Sequence, residues 1–290
     1  MKRLYPGILA VILLAWMVAP GLAAPYRFTT LMYPGSSMTG SYGINDLRQV
    51  VGEYFVSGDL NPKGFTYING KYTPFNIPDA TGTTLNGCNN AGDLVGSYST
   101  AYVKYPLLYS SAGKLTTIML TGANWGEARS INQNGVVVGD CTIGGLYHGF
   151  KYENGTPSLI DYTGALETRT FGINDAGAIV GIFRDQSDVW RGFILEHGQT
   201  QILAVPGAVE TRPNSINNSG VIVGSYSLEI DISHGFIYAY EKFTTIDPPG
   251  TISPSIDKIN NYNQIVGDSY INQGFLGVPI SLAGLSLLLD

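Results

Sequence analysis

One spacing recurs along this chain and limits the folds open to it. An Asn stands seven residues before a Val-Gly pair, as in GINDAGAIVG (172–181) and SINNSGVIVG (215–224). The pattern occurs six times, and successive glycines are 44, 43, 42, 43 and 43 residues apart. These glycines are Gly52, Gly96, Gly139, Gly181, Gly224 and Gly267. A period of about 43 residues predicts an array of six units, in the range typical of four-stranded propeller blades.

Each unit contains four short segments rich in β-branched and aromatic residues and separated by Gly and Asn, a pattern that predicts strands. The third segment begins with Gly-Phe in five units, and the fourth is rich in Thr and Ile, as in FTTIDPPG (243–250). No stretch of 12 or more residues after the first 24 shows a helical period. The predicted fold class is therefore all-β, a single six-bladed β-propeller of four-stranded antiparallel blades.

The recurring Asn residues are interpreted as structural turns between the first and second strands. They are Asn45, Asn89, Asn132, Asn174, Asn217 and Asn260. An Asn side chain can bond its own backbone two residues on, and a Gly three positions later supplies a positive φ. Asn263 replaces that Gly in the sixth unit and tolerates positive φ, whereas Arg48 in the first unit predicts a strained or altered turn. Asn154-Gly155 predicts a tight hairpin between strands three and four, so the short turns share one face and the longer links the other.

The two ends of the chain complement each other. The segment YRFTTLMYPG (26–35) matches YEKFTTIDPPG (240–250), which is a fourth strand, while the last unit ends after QGFLGVP (273–279) without one. We therefore expect the N-terminal strand to complete the last blade and close the ring, which leaves only short, protected sheet edges. The alternative is an open β-solenoid, although no capping unit is visible.

Both termini carry segments outside this array. Residues 1–23 have Lys2 and Arg3, an apolar run over 8–18 and small residues at 21 and 23, which together predict a secretory signal peptide. The propeller is assigned to 24–279, and 280–290 forms an apolar tail too short to span a membrane as a helix. The predicted location is secreted or extracytoplasmic, in the periplasm or at the cell surface, with no membrane span after signal removal.

Composition and motifs exclude several function classes. The net charge of −6 and the lack of a basic face argue against a nucleic-acid partner. No nucleotide-binding glycine loop, Ser-centred elbow or metal-spaced Cys/His cluster is present, so we predict no cofactor, no metal and no catalytic residue. His148 and His234 share one repeat position and are interpreted as structural, with a metal pair across the ring as the alternative. Cys88 and Cys141 are interpreted as buried thiols, with a disulfide as the alternative.

Three segments resemble a known family. GINDAGAIVG (172–181), HGFKYENG (148–155) and HGFIYAYEKFTTIDPPG (234–250) are similar to the HAF-type extracellular repeats of bacterial secreted proteins. The resemblance extends over nearly all of the chain after the predicted signal peptide. It implies an extracytoplasmic repeat protein of undefined activity and assigns no catalytic residue.

Any binding site is expected where the six units differ, on the face that carries the longer links. Trp125, Glu127 and Arg129 are placed together in one crossover between units. The predicted ligand-binding residues are Trp125, Tyr147, Arg184, Asp185, Asp188, Trp190, Glu229 and Asp231. An aromatic and acidic face on a rigid disc suits an extracellular glycan or protein partner. The alternative is a set of solvated loops with two incidental Trp residues.

Three functions remain compatible with these features. The first is a secreted or cell-surface, non-catalytic binding module whose ligand is a glycan or a protein. The second is a propeller-type glycoside hydrolase or lyase that uses the link carboxylates, which would need two carboxyls roughly 5 to 9.5 Å apart. The third is a purely structural surface component. Low charge and the absence of a titratable cluster favour the non-catalytic binder over the enzyme.

Overall fold

The computed structural model describes residues 26–229, 231–270 and 272–280, and within these ranges all regular secondary structure is β-strand. The predicted signal peptide and all but the first residue of the predicted tail lie outside the described residues. The strands of the first half are β1 (Tyr26–Leu31), β2 (Met38–Ile44), β3 (Val50–Phe55), β4 (Lys63–Ile68), β5 (Lys71–Phe75), β6 (Gly82–Cys88), β7 (Leu94–Ser99), β8 (Lys104–Tyr109), β9 (Leu115–Thr117), β10 (Ala123–Ile131), β11 (Val137–Ile143), β12 (Leu146–Glu153) and β13 (Thr156–Ile160). Those of the second half are β14 (Glu167–Ile173), β15 (Ile179–Arg184), β16 (Trp190–Glu196), β17 (Gln199–Leu203), β18 (Glu210–Ile216), β19 (Ile222–Glu229), β20 (Ile232–Ala239), β21 (Lys242–Thr245), β22 (Ser255–Ile259), β23 (Ile265–Ser269) and β24 (Gln273–Pro279).

The strands form six four-stranded antiparallel sheets, and the first strands of neighbouring sheets contact one another around a closed ring. Blades 1 to 5 are β2–β5, β6–β9, β10–β13, β14–β17 and β18–β21, and blade 6 is β22–β24 with β1. In blade 6, Thr30 of β1 lies opposite Phe275 of β24, so the N-terminal strand closes the ring as predicted. The six-bladed propeller is confirmed, and the open solenoid is wrong.

The hydrophobic core lies between adjacent blades. Phe150, at the start of the third strand of blade 3, is fully buried and packs in one cluster with Val95 of blade 2. The Val-Gly glycines have a steric reason to recur, because a Cβ on Gly139 would overlap the carbonyl oxygen of Glu127 on the paired first strand. The same overlap with a first-strand carbonyl recurs at the other five glycines. The spacing read from the sequence is therefore a packing requirement of the second strand.

The face that carries the Asn turns is called the turn face. In blade 4 the backbone N–H of Asn174 donates to Ala178 O at 3.1 Å, and Asn174 Oδ1 accepts from Ala178 N at 2.9 Å. Gly177 holds the expected positive φ of 85°. Arg48 adopts φ 62° and closes the same turn through its N–H to Asn45 O at 3.1 Å. The turn in blade 1 is therefore not altered, and its only departure is a non-Gly residue with positive φ.

The Asn side chains also join the blades, which the sequence did not reveal. Asn132 Nδ2 donates to Asn174 O of the next blade at 3.0 Å, and Asn260 Nδ2 donates to Asn45 O at 3.0 Å across the closure. Five of the six Asn residues make this contact, whereas Asn89 Nδ2 donates to Asp93 of its own turn. The second turn residues form a complete circle, each N–H donating at 2.8–2.9 Å to the side-chain oxygen of the next blade. These residues are Asp46, Asn90, Gln133, Asp175, Asn218 and Asn261.

The opposite face, called the link face, carries the connections from strand two to strand three and from blade to blade. The strand two–three links differ in length, from the two residues Gly144-Gly145 in blade 3 to the seven residues 56–62 in blade 1. The expectation that these links are longer than the turns is therefore wrong for blades 3 and 5, whose strand two–three links have two residues, as the tight hairpins between strands three and four do. Trp125, Glu127 and Arg129, which were expected in a crossover, lie within the first strand β10 instead.

Candidate functional site

Six residues, one from each blade, line a cavity of about 470 Å³ at the ring axis on the link face. They are Tyr42, Asn86, Arg129, Phe171, Asn214 and Asp257. Each stands at the break in register where its first strand bulges against the second. A bulge leaves one residue outside the ladder and redirects its side chain, which here directs six different groups into one space. This cavity is called the cup.

Lys258 forms the floor of the cup. It follows the bulge of blade 6, where the other blades have Gly or Ser, and the small residues let neighbouring first strands approach closely. Its Nζ donates to Phe171 O at 2.9 Å, so the side chain crosses the channel. Among the described residues, Lys258 alone lines both the cup and a smaller cavity on the turn face, so it lies between the two. The cup is therefore blind. Burial lowers the pKa of this amine to about 7.

One arc of the cup wall carries a chain of paired charges. Glu127 binds Lys104 Nζ at 3.2 Å and Arg129 at 2.9 Å, and the fully buried Asp140 binds Arg129 at 2.7 Å and Arg169 at 2.8 Å. Burial alone would raise the pKa of Glu127, yet Arg129 and Lys104 lower it to about 2. Glu127 is thus ionised, and the oxygens of both carboxylates are engaged by the cations of this arc.

Arg212 lies beside that arc and differs from its neighbours. Its guanidinium lies 4.5 Å from the centre of the Phe171 ring, which Arg129 and Arg169 also approach, at 5.8 and 5.5 Å. Within the described part of the chain, the Arg212 side chain has neither a hydrogen-bond nor an ion-pair partner. Burial, then Arg169 and Arg129, lowers its pKa to about 10, so it remains a cation at neutral pH.

The opposite arc carries carboxyl groups with raised pKa. Glu53 accepts from Thr84 at 2.6 Å and from Tyr42 at 3.1 Å, and burial raises its pKa despite these bonds. Asp257 Oδ1 accepts from Ser255 Oγ at 2.7 Å, while its Oδ2 is buried without a partner. Burial, and then Asp268, raises the pKa of Asp257 well above its ordinary range, which favours the protonated carboxyl.

Two amides complete the wall. Asn86 Nδ2 donates to Glu127 and to Ala128 O, and Asn214 Nδ2 donates to Ser255 and to Ile256 O, all at 2.9–3.2 Å. Each amide thus donates its N–H groups to acceptors of the next blade. Among the described residues, neither Oδ1 has a donor, so two carbonyl oxygens remain as acceptors in the cup.

The structure brings some of the predicted binding residues together. Trp125 and Tyr147 meet edge to face at 5.9 Å just outside the cup, with Lys104 over Trp125 and Arg169 over Tyr147 at 4.3 Å. Tyr147 lies in β12 rather than in a link, and its N–H donates to Glu167 at 3.3 Å.

The remaining predicted residues lie farther out on blades 4 and 5. Glu167 also pairs with Arg184, which binds Asp188, so Trp125, Tyr147, Arg184 and Asp188 follow one strip across blades 3 and 4. Arg184 and Trp190 are cross-strand partners at the ends of β15 and β16.

The link carboxylates do not form an acid pair. Asp185 binds Arg191, which lowers its pKa together with the N–H groups of Val189 and Ser187. Asp188 is held by Arg184, while Glu229 and Asp231 lie exposed in blade 5. The carboxyls with raised pKa are instead Glu53, Asp257 and Asp268, which the sequence analysis missed.

A sequence signal for the cup existed. The bulge residue always stands three positions before the turn Asn, and a cup-facing or buried polar residue often follows the Val-Gly, as in Glu53, Asp140, Ser225 and Asp268. Ionisable residues inside predicted core strands are exceptional unless they are paired or functional. Comparing the six units at these two positions would have pointed to the cup.

The rim of the link face is apolar. Every strand two–three connection carries or adjoins an exposed large apolar side chain, led by Tyr102 at 95% and Leu60 at 92% exposure. The six are Leu60, Tyr102, Leu146, Val189, Leu228 and Tyr270. Exposed apolar side chains around the mouth of a polar cavity are compatible with an interaction surface.

The His and Cys residues lie away from the cup wall. His148 Nδ1 and His234 Nδ1 contact Asp161 and Asp247 of their own blades at 2.9 and 2.8 Å, one structural device used twice. Cys88 and Cys141 are both buried and free, so the disulfide alternative is wrong. Within the described ranges no group of three or more His, Cys, Asp or Glu residues could hold a metal ion.

No family model and no curated protein matches this chain. Among solved structures it is similar to virginiamycin B lyase from Staphylococcus aureus, crystallised with quinupristin (TM-score 0.52, 13% identity, 88% of this chain and 100% of that chain). It is also similar to a gluconolactonase from Xanthomonas campestris (0.55, 12%, 88% and 90%) and to the Aleuria aurantia lectin in complex with Fucα1-6GlcNAc (0.50, 11%, 87% and 98%). At these identities the likeness establishes the propeller fold alone, and this fold serves both enzymes and binding proteins. The resemblance to HAF repeats stays a prediction. No helix within the described ranges has the length and apolarity needed to cross a membrane.

Proposed function

We propose that this protein is a non-catalytic binding propeller that recognises a glycan on its link face, with one sugar unit held in the cup. The observation that carries the proposal is the blind, polar cavity into which each blade places one bulge residue, with open acceptors and, among the described residues, one cation that has neither a hydrogen-bond nor an ion-pair partner. Small-ligand sites combine such concavity with a few fixed polar groups. The signal peptide predicted from the sequence supports a location outside the cytoplasm for this function.

The arrangement suits a sugar for two reasons. The open carbonyl oxygens of Asn86 and Asn214 are fixed by bonds to the neighbouring blades and can accept from hydroxyl groups without rearranging. Outside the cup, the Trp125–Tyr147 pair and the exposed Tyr102 offer aromatic surface for further units of a chain. A polymer that occupies the cup and crosses the rim would use both regions.

The test is a thermal melt of the exported protein against oligosaccharides cut from bacterial and plant cell-wall polysaccharides. Ligands that bind the folded state raise Tm as their concentration passes Kd. Ser225→Trp should abolish the shift, because Ser225 lines the cup and the indole would fill it. Ser158→Trp, on the exposed outer strand β13, should respond like the wild type. No shift for any oligosaccharide, or an equal shift in Ser225→Trp, would contradict the proposal.

A second candidate is a glycoside hydrolase or lyase, which one observation favours. Glu53 and Asp257 both line the cup with raised pKa, the property that a general acid requires. Mass spectrometry of each oligosaccharide after prolonged incubation separates the two functions. Chains recovered intact are expected for the binder. Cleavage that disappears in Asp257→Asn, with binding kept, would replace the binder by the enzyme.

A further inference from the structure

We infer that the sugar unit in the cup is acidic and that its carboxylate pairs with Arg212. The inference rests on the proposed function and adds to it the chemical class of the ligand. Three observations support it: the free guanidinium, the charge balance of the wall around it and the state of the nearest carboxyl.

The Arg212 side chain is available and held in place. It lies in β18, two residues before the bulge residue Asn214, and lines the cup. Its guanidinium carbon lies over the Phe171 ring, 4.5 Å from the ring centre, a contact that uses none of the N–H groups. A planar fork of unused donors matches a carboxylate in two parallel hydrogen bonds, which a neutral hydroxyl cannot provide.

The surrounding wall leaves this arc positive. Lys104, Arg129 and Arg169 alternate with the carboxylates Glu127 and Asp140 in one chain of ion pairs. With Arg212 added, four cations face two carboxylates, so the arc carries a net charge of +2. Two carboxylates already shared among three cations have no oxygen directed at Arg212. An anionic ligand would offset this positive charge.

Asp257 does not offset this charge. Asp257 stands on the neighbouring blade, near enough to favour the charged form of Arg212, yet neither of its oxygens pairs with that guanidinium: among the described residues, one accepts from Ser255 and the other is buried without a partner. Burial and the neighbouring Asp268 raise the pKa of this carboxyl, which favours its uncharged form. Asn86 and Asn214 then provide acceptors for the hydroxyl groups of the same sugar ring. A cation for a carboxylate and two acceptors for hydroxyl groups together fit a uronic acid better than a neutral sugar.

The experiment compares acidic oligosaccharides with their own methyl esters. Trimers of galacturonate, glucuronate and mannuronate, and the fully methyl-esterified forms, are titrated into the full protein by calorimetry. At least one acid should bind with Kd at least tenfold below that of its ester, and added salt should weaken that binding. Arg212→Gln should raise the Kd of the acid at least tenfold and leave the ester unchanged, while Arg212→Lys should recover part of the loss. Arg27→Gln, at an exposed position on β1, is the matched control and should leave every Kd unchanged.

The outcomes separate the two proposals. Equal binding of acid and ester, or an unchanged Kd in a folded Arg212→Gln protein, overturns the acidic ligand. So does binding of neutral glycans alone that Ser225→Trp abolishes, and in these cases the glycan-binding function stands. If no carbohydrate binds at all, both proposals fail. Arg212→Gln should fold, since it removes a cation that has no partner among the described residues, and its Tm checks this.

Discussion

The two ends of the central channel use the six repeats in opposite ways. On the turn face every blade contributes one kind of contact, and the second turn residue is Asp, Asn or Gln in all six. At the cup the equivalent residue varies between blades, with two aromatics, two amides, a cation and a carboxyl. The residue type on the turn face is therefore set by contacts between blades, whereas the residue type at the cup is not.

The physical difference lies in how the backbone groups are satisfied. On the turn face each N–H after the Asn needs an acceptor from the next blade, so a change in one blade leaves a polar group of its neighbour unpaired. At a bulge the residue is already outside the ladder, and its side chain faces open space. No contact common to all six blades depends on the residue at that position, which is why its identity can differ from blade to blade.

The largest effect should follow from changing a position shared by all blades. Gly139→Ala places a Cβ against Glu127 O and the Phe150 ring, neither of which can withdraw without opening blade 3. We expect a loss of about 3 kcal/mol or more in the free energy of unfolding. Gly135→Ala is the matched control, because its Cβ meets nothing within 4 Å and costs only its positive φ of 77°, about 1 kcal/mol. Calorimetric melts of both would contradict the packing argument if the two losses were equal.

Replacing Lys258 should stabilise the protein, because this residue differs from its equivalents in the other blades and its buried amine destabilises the ring. Its pKa of about 7 lies below its ordinary 10.5, so folding releases a proton between those values and stability rises with pH across that window. Lys258→Met should remove this rise and increase the free energy of unfolding at pH 7 by about 1 to 3 kcal/mol. Stability should be measured from pH 6 to 10 by chemical denaturation.

Lys242→Met, at an exposed position on β21, is the control and should leave the pH profile unchanged. If the rise above pH 7 persists in Lys258→Met, another group causes it. If Lys258→Met is more stable but binds the ligand less well, Lys258 contributes to the site at the expense of the fold.

The turn face can be tested by two substitutions of the same residue type. Asn174 and Asn89 each accept from the backbone N–H four residues on, but only Asn174 Nδ2 reaches the next blade, at Asn217 O. Asn174→Ala should therefore cost about 1 kcal/mol more than Asn89→Ala, since it also leaves a buried carbonyl unpaired. Urea titrations measure both. Equal losses would mean that the Asn residues act through their turns alone.

Much of the scaffold could be predicted because its constraints are local and periodic. The Asn turns, the Val-Gly glycines and the matching ends follow from spacing alone, and they fixed blade number, strand order and closure. The contacts of Asn132 with the next blade could not be predicted, since they depend on how adjacent blades align. The cup was missed because Arg129 and Asp257 stand within strands and face one space only after the ring closes. Link residues such as Asp185 were predicted because the links vary between units, but the strands vary as well, at the bulge position.

The smallest expected effect concerns the backbone of Arg48 in the turn of blade 1. Arg48 holds φ 62° at the position where four blades have Gly, and its side chain is exposed. Arg48→Gly should raise the free energy of unfolding by about 0.5 kcal/mol, because the relief of the left-handed backbone exceeds the extra entropy of Gly in the unfolded chain. Arg48→Ala removes the same side chain but keeps the same φ penalty, so it should leave stability unchanged. If both variants gained equally, the cost at Arg48 would lie in its charge and not in its backbone, and the turn in blade 1 would be as relaxed as the other five.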